Sequence, residues 1–109
     1  MTKLINLTPH AIVVKNGNQE KTYPASGTVA RVNTTSLEIG VVDGFLIMEQ
    51  SITGHNVPAP QKGVMYIVSA MVLAQLPGRS DLVAPDTNNA ERNDKGHIVS
   101  VPAFTRGMR

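Results

Sequence analysis

The sequence predicts an α+β fold that is mainly antiparallel β, with three hairpins and one short helix. Three observations carry that prediction. Turn dipeptides of hairpin type recur between apolar runs. Alternation with a period of two outweighs helical spacing. One short apolar stretch has both a helix start signal and a stop signal. At 109 residues the chain has the length of one ordinary domain, so residues 1–109 are read as a single domain.

The first hairpin is Ala11–Lys15 (AIVVK), then Asn16-Gly17, then NQEKTY. Asn-Gly tolerates positive φ at both central positions, as a type I′ turn requires. The second runs from Leu37 to Val42 (LEIGVV) through Asp43-Gly44 into FLIME. Near its turn it is apolar on both faces, which points to a partner or a second sheet. Ser51–Gly63 (SITGHNVPAPQKG) holds two Pro and two Gly and reads as a loop. Loops of this length in compact domains are often functional. Val64–Val68 reads as a buried strand. Ser69 is a fitting N-cap for a helix over Ala70–Leu76, which Pro77-Gly78 stops. Asp81–Ala84 is a further short strand, and Pro85–Asn89 a turn cluster. In the third hairpin, Asn93–Gly96 leads into HIVSV, with Gly96 suited to the left-handed position.

Composition removes several classes of function. Without cysteine there are no disulfides, thiolate metal sites or cysteine nucleophiles. No apolar run has the length of a membrane span or a signal peptide, so a cytoplasmic protein is expected. Ten Lys and Arg against eight Asp and Glu leave a net charge of +2, and no two basic residues are adjacent, which is a weak footprint for nucleic acid. Four aromatic residues (Tyr23, Phe45, Tyr66 and Phe104) are too few for a base-stacking platform. The sequence contains no nucleophile elbow, phosphate-binding loop or dinucleotide fingerprint, and no cofactor or metal site is implied.

The densest polar segment is Gly78–Arg92 (GRSDLVAPDTNNAER). Guanidinium groups recognise phosphate or carboxylate through paired donors. Arg79 and Arg92 are therefore candidates to hold an anion, with Asp81, Asp86 and Thr87 shaping the pocket. In the competing structural reading, Arg79 pairs with Asp81 and Asp86 only fixes its turn. His10, Arg31 and Ser69 complete the candidate ligand-binding set. His10 offers an imidazole as a polar ligand contact or general base, and Ser69 an oxygen at a helix start.

Ile5–His10 (INLTPH), Pro24–Gly27 with Ala30-Arg31-Val32, Tyr66–Ser69 (YIVS), GRSDLVAPDT over 78–87 and Lys95–Val99 (KGHIV) together resemble a group of small accessory proteins common in phage and prophage genomes. The resemblance covers nearly the whole chain. It implies a viral accessory protein acting in the bacterial cytoplasm, and it carries over no catalytic residue. Such proteins commonly counter host defences. The expected function is therefore sequestration, by a homo-oligomer and without turnover, of a phosphate-bearing nucleotide-type ligand. Two alternatives stand beside it. One is a protein–protein inhibitor that binds a host defence factor through the second hairpin. The other is a nucleotide hydrolase or lyase using His10 with Asp81 or Asp86.

Overall fold

A computed structural model describes residues 2–106. Its centre is a four-stranded mixed sheet in the order β1 (Lys3–Asn6), β6 (Val64–Ile67), β7 (Leu82–Pro85), β10 (Phe104–Thr105). The first three strands are parallel and β10 runs antiparallel to β7. Between β6 and β7 lies α1 (Ala70–Gln75), so residues 64–85 form a βαβ unit. This parallel unit corrects the purely hairpin-based expectation. Its strands read as unbroken apolar runs (VMYI, LVA) because they are covered on both faces. Tyr66, Ile67, Val68, Leu82 and Ala84 are almost completely buried, and Leu7, Val57, Val72 and Leu73 pack into the same core.

The three expected hairpins are present. They are β2 (Ile12–Asn16) with β3 (Gln19–Tyr23), β4 (Val32–Val42) with β5 (Phe45–His55), and β8 (Glu91–Arg92) with β9 (Ile98–Ser100). The first turn sits one residue later than expected. Asn16 pairs with Gln19, so Gly17 and Asn18 are central, and only Gly17 has positive φ. That matches a type II′ turn, which needs glycine first. At the second turn Asp43 and Gly44 both have positive φ, 54° and 83°, as type I′ demands. Gly96 takes the expected left-handed conformation.

Two further boundaries move. Ser51–His55 is strand rather than loop, and its partner strand begins at Val32 rather than Leu37. The second hairpin is therefore an arm of two 11-residue strands, each about 35 Å long at the usual rise. Among the described residues the arm pairs with no other strand. It makes the molecule elongated: the radius of gyration is 16.7 Å, against about 13 Å for a compact chain of this length.

Asn6 joins the sheet to the first hairpin. It is 3% exposed and its amide is fully used. Nδ2 donates to the carbonyls of His10 and Tyr23 (both 2.9 Å), and Oδ1 accepts from the Thr8 amide (2.9 Å) and hydroxyl (2.6 Å). A buried amide left without partners would cost heavily, so the Asn6–Thr8–Pro9–His10 turn is fixed by this network.

Candidate functional site

A groove on the body and the arm itself offer surfaces with functional potential. The groove has a volume of about 420 Å³. Its floor forms where β2 meets the segment after β9. Val14 bridges to Val101, the Lys15 amide donates to the Val101 carbonyl, and the Val101 amide donates to that of Val13 (both 2.9 Å). Ile12, Val13, Ile98, Val99 and Val101 make the lining mostly apolar. The rim carries Thr8 and His10 from the Asn6-fixed turn, Ser69 from the start of α1, and Thr87 from the short 3₁₀ turn at Thr87–Asn89.

Three of the eight candidate residues, His10, Ser69 and Thr87, are therefore brought to one groove. Sequence reasoning missed its apolar walls. Their signal was the exposed side of HIVSV, but a short alternating strand does not reveal which neighbour it meets. Ser69 caps α1, with its Oγ accepting from the Val72 amide at 3.3 Å. Asp86 accepts from Asn89 Nδ2 at 2.8 Å and so fixes the turn.

The two arginines put forward for an anion lie outside the groove lining and have partners of their own. Arg79 Nε donates to Asp81 Oδ1 at 2.8 Å, and its Nη2 donates to Asp81 Oδ2 and to the Pro58 carbonyl, both at 2.7 Å. Both side chains are largely buried, 18% and 13% exposed. The hydrogen bonds from Arg79 hold the Asp81 carboxyl below its ordinary range, although burial pushes the other way. The same bonds raise Arg79 further above its ordinary value. This clamp ties the segment that leaves the arm to the start of β7. Arg92 Nη1 donates to the Gly96 carbonyl at 2.8 Å across its own hairpin loop.

Arg31 stands at the root of the arm. Its amide donates to Asn56 Oδ1 (2.6 Å) and its carbonyl accepts from the Asn56 amide (3.2 Å), while Asn56 Nδ2 donates to the Val29 carbonyl (2.9 Å). The root is thus clamped by Asn56 on one side and by Arg79–Asp81 on the other.

Beyond this root the arm divides in two. Its proximal half is Thr- and Ser-rich, with Thr35 opposite Ser51 and Ser36 opposite Gln50. Its distal half is apolar. Phe45 and Ile47 share one face with Val42, while Leu46 and Met48 share the other with Val41. A bulge near Ile39 shifts the register. Nine large apolar residues from Leu37 to Ile52 are 40% to 73% exposed, Phe45 the most. Exposed apolar side chains concentrated on both faces of one arm mark an interaction surface.

Among the described residues no cluster of His, Cys, Asp or Glu is arranged to hold a metal ion, and no helix is long and apolar enough to cross a membrane. No family model, curated protein or solved structure matches this chain.

Proposed function

We propose that this protein is a phage-type accessory protein that acts by docking its β4–β5 arm onto another protein, as a non-catalytic inhibitor of a host defence factor. The observation that carries this reading is the arm's uncovered apolar distal half, where eight large apolar residues from Leu37 to Met48 are 40% to 73% exposed. The partner's class follows from the resemblance of the INLTPH, YIVS, GRSDLVAPDT and KGHIV segments to phage accessory proteins. The arm's open backbone edges add a second means of attachment, since a strand can pair with either one.

Sequestration of a nucleotide-type ligand is the second reading. It is favoured by one observation, the convergence of His10, Ser69 and Thr87 on the groove rim. The engagement of Arg79 with Asp81 weighs against it, because that guanidinium would have to give up a carboxylate to take a phosphate.

The test uses bacterial strains that each carry one defence system, challenged with phage while the protein is expressed. Wild-type protein and Arg79→Ala restore phage plating in the strain whose defence is blocked. Phe45→Asp and Ile47→Lys do not, at equal levels of folded protein. Full activity in both arm variants would refute the docking reading. A small molecule released on denaturing protein purified from its host, detected by native mass spectrometry, would favour sequestration.

A further inference from the structure

A two-stranded ribbon with no further strand or helix packed on it is marginally stable in water. Among the described residues β4 and β5 pair only with each other, and the apolar side chains of their distal half are exposed on both faces. We infer that the outer edge of β5 pairs antiparallel with the same edge of a second copy, closing a two-fold dimer around a four-stranded sheet. This goes beyond the docking reading, because it uses the arm's edge and leaves its faces for another protein.

The edge of β5 is the better template of the two. From Phe45 to Ile52 that strand pairs without an extra residue, whereas β4 is interrupted by a bulge at Ile39. Bulges, prolines and lysines are the devices that keep an edge from pairing. The Phe45–Ile52 stretch has none of them, and from Val32 to His55 the chain holds no Pro, Lys or Arg at all. Ladder alternation sets which backbone groups are free. Val42 and Phe45 flank the two-residue turn and bond to each other, so the amides and carbonyls of Leu46, Met48 and Gln50 point outward.

A second copy is the occupant these features fit. Every molecule of the chain has the same uncovered ribbon, and another copy is the one partner present wherever the chain is made. Antiparallel pairing of identical strands consumes the same edge on both, so it closes at two, and the bulge on β4 blocks growth at the far edge. Charge fixes the register. Glu49 opposite the partner's Glu49 would set like charges together. With Ile47 on the two-fold axis, Ile47 faces the partner's Ile47, Leu46 faces the partner's Met48 and Glu49 faces the partner's Phe45. The two Glu49 positions then lie about 14 Å apart along the sheet, beyond the screening length at physiological salt. The arm's reach permits this. From Ile47 to His55 is about 27 Å at the usual rise, so the two roots stand about 54 Å apart and the bodies do not collide.

The experiment is sedimentation velocity on the intact chain, from micromolar to hundreds of micromolar, for wild type, Met48→Pro and Met48→Ala. Proline removes an N–H that faces away from β4, which edge strands tolerate, while alanine removes the same side chain and keeps the N–H. Circular dichroism confirms that each variant is folded. Wild type sediments as a dimer, and Met48→Pro dissociates at least about tenfold more readily than Met48→Ala. A second measurement decides the matter even if the proline variant loses its arm. The chain has no cysteine, so Ile47→Cys gives one intermolecular disulfide on oxidation, across a pair whose spacing suits it, while Ile39→Cys on the far strand does not. A wild-type monomer at every concentration overturns the inference, as does a dimer that both Met48 variants weaken equally. A monomer whose Leu46 and Met48 amides gain exchange protection only when a host protein is added assigns the edge to that protein and also overturns it. If wild type is monomeric and Phe45→Asp still abolishes activity in cells, self-pairing falls and the proposed function stands. If Met48→Pro loses the dimer and Phe45→Asp keeps full activity, self-pairing stands and the proposed function falls.

Discussion

Replacing Asp81 by asparagine should cost the fold about 2–4 kcal/mol at neutral pH. The carboxylate accepts two short bonds from Arg79, at 2.8 and 2.7 Å, and both side chains are mostly shielded from water. Removing one partner of a fully buried pair costs about 3–5 kcal/mol. The remaining exposure, and the bond that Arg79 keeps to Pro58, place this pair toward the lower part of that range. Asparagine keeps the shape, so the loss reports charge and hydrogen bonding rather than packing. The pH dependence has a definite sign. Asp81 titrates lower in the folded state than its ordinary value of 3.8. Its contribution is therefore complete above that value and disappears as pH falls through the folded-state pKa. Urea unfolding of wild type and Asp81→Asn over a pH series measures this directly. The gap between the two should be widest near neutrality and close toward the most acidic points, with equal m-values throughout. A gap under 1 kcal/mol at pH 7, or one that persists undiminished in acid, would refute the assignment of the pair as a structural clamp.

Other positions give sharp expectations. Asn6→Ala should destabilise by about 2 kcal/mol in the same urea assay, since it strands the Tyr23 carbonyl and the Thr8 amide, while the Thr8 hydroxyl keeps the His10 carbonyl at 3.0 Å. Ser69→Ala should cost about 1 kcal/mol by removing the cap of α1. Gly44→Ala should cost about 1 kcal/mol, or fray the arm turn as seen by NMR, because φ of 83° strains a β-carbon. Phe45→Asp should leave stability within about 0.5 kcal/mol of wild type, while it lowers binding of a hydrophobic dye to the exposed arm.

Most hairpins were legible because their determinants are local. Asp43-Gly44 and Gly96 specify backbone conformations that few other residues tolerate. The helix was legible for the same reason, through Ser69 and Pro77-Gly78. The parallel sheet was not read, because β1 and β6 are paired across the 57 residues between Asn6 and Val64 and no local signal encodes that meeting. The apolar runs VMYI and LVA with a helix between them were its available clue. The arm's length was hidden by its Thr- and Ser-rich root, where polar residues on both faces erase the alternation that marks a half-buried strand. For the candidate site, residue type pointed to Arg79 and Asp81, but only the fold shows them facing each other. His10, Ser69 and Thr87 converge although they are far apart in sequence.

The arm also has a consequence for how this chain can change. Among the described residues its two strands meet the body near the root, where Asn56 and the Arg79–Asp81 pair grip the neighbouring segments, and Asn33 stands opposite Gly54 just above. Everything distal to that point is free of obligations to the core. Substitutions there alter the exposed apolar surface at little thermodynamic expense, so that surface can vary while the scaffold is kept.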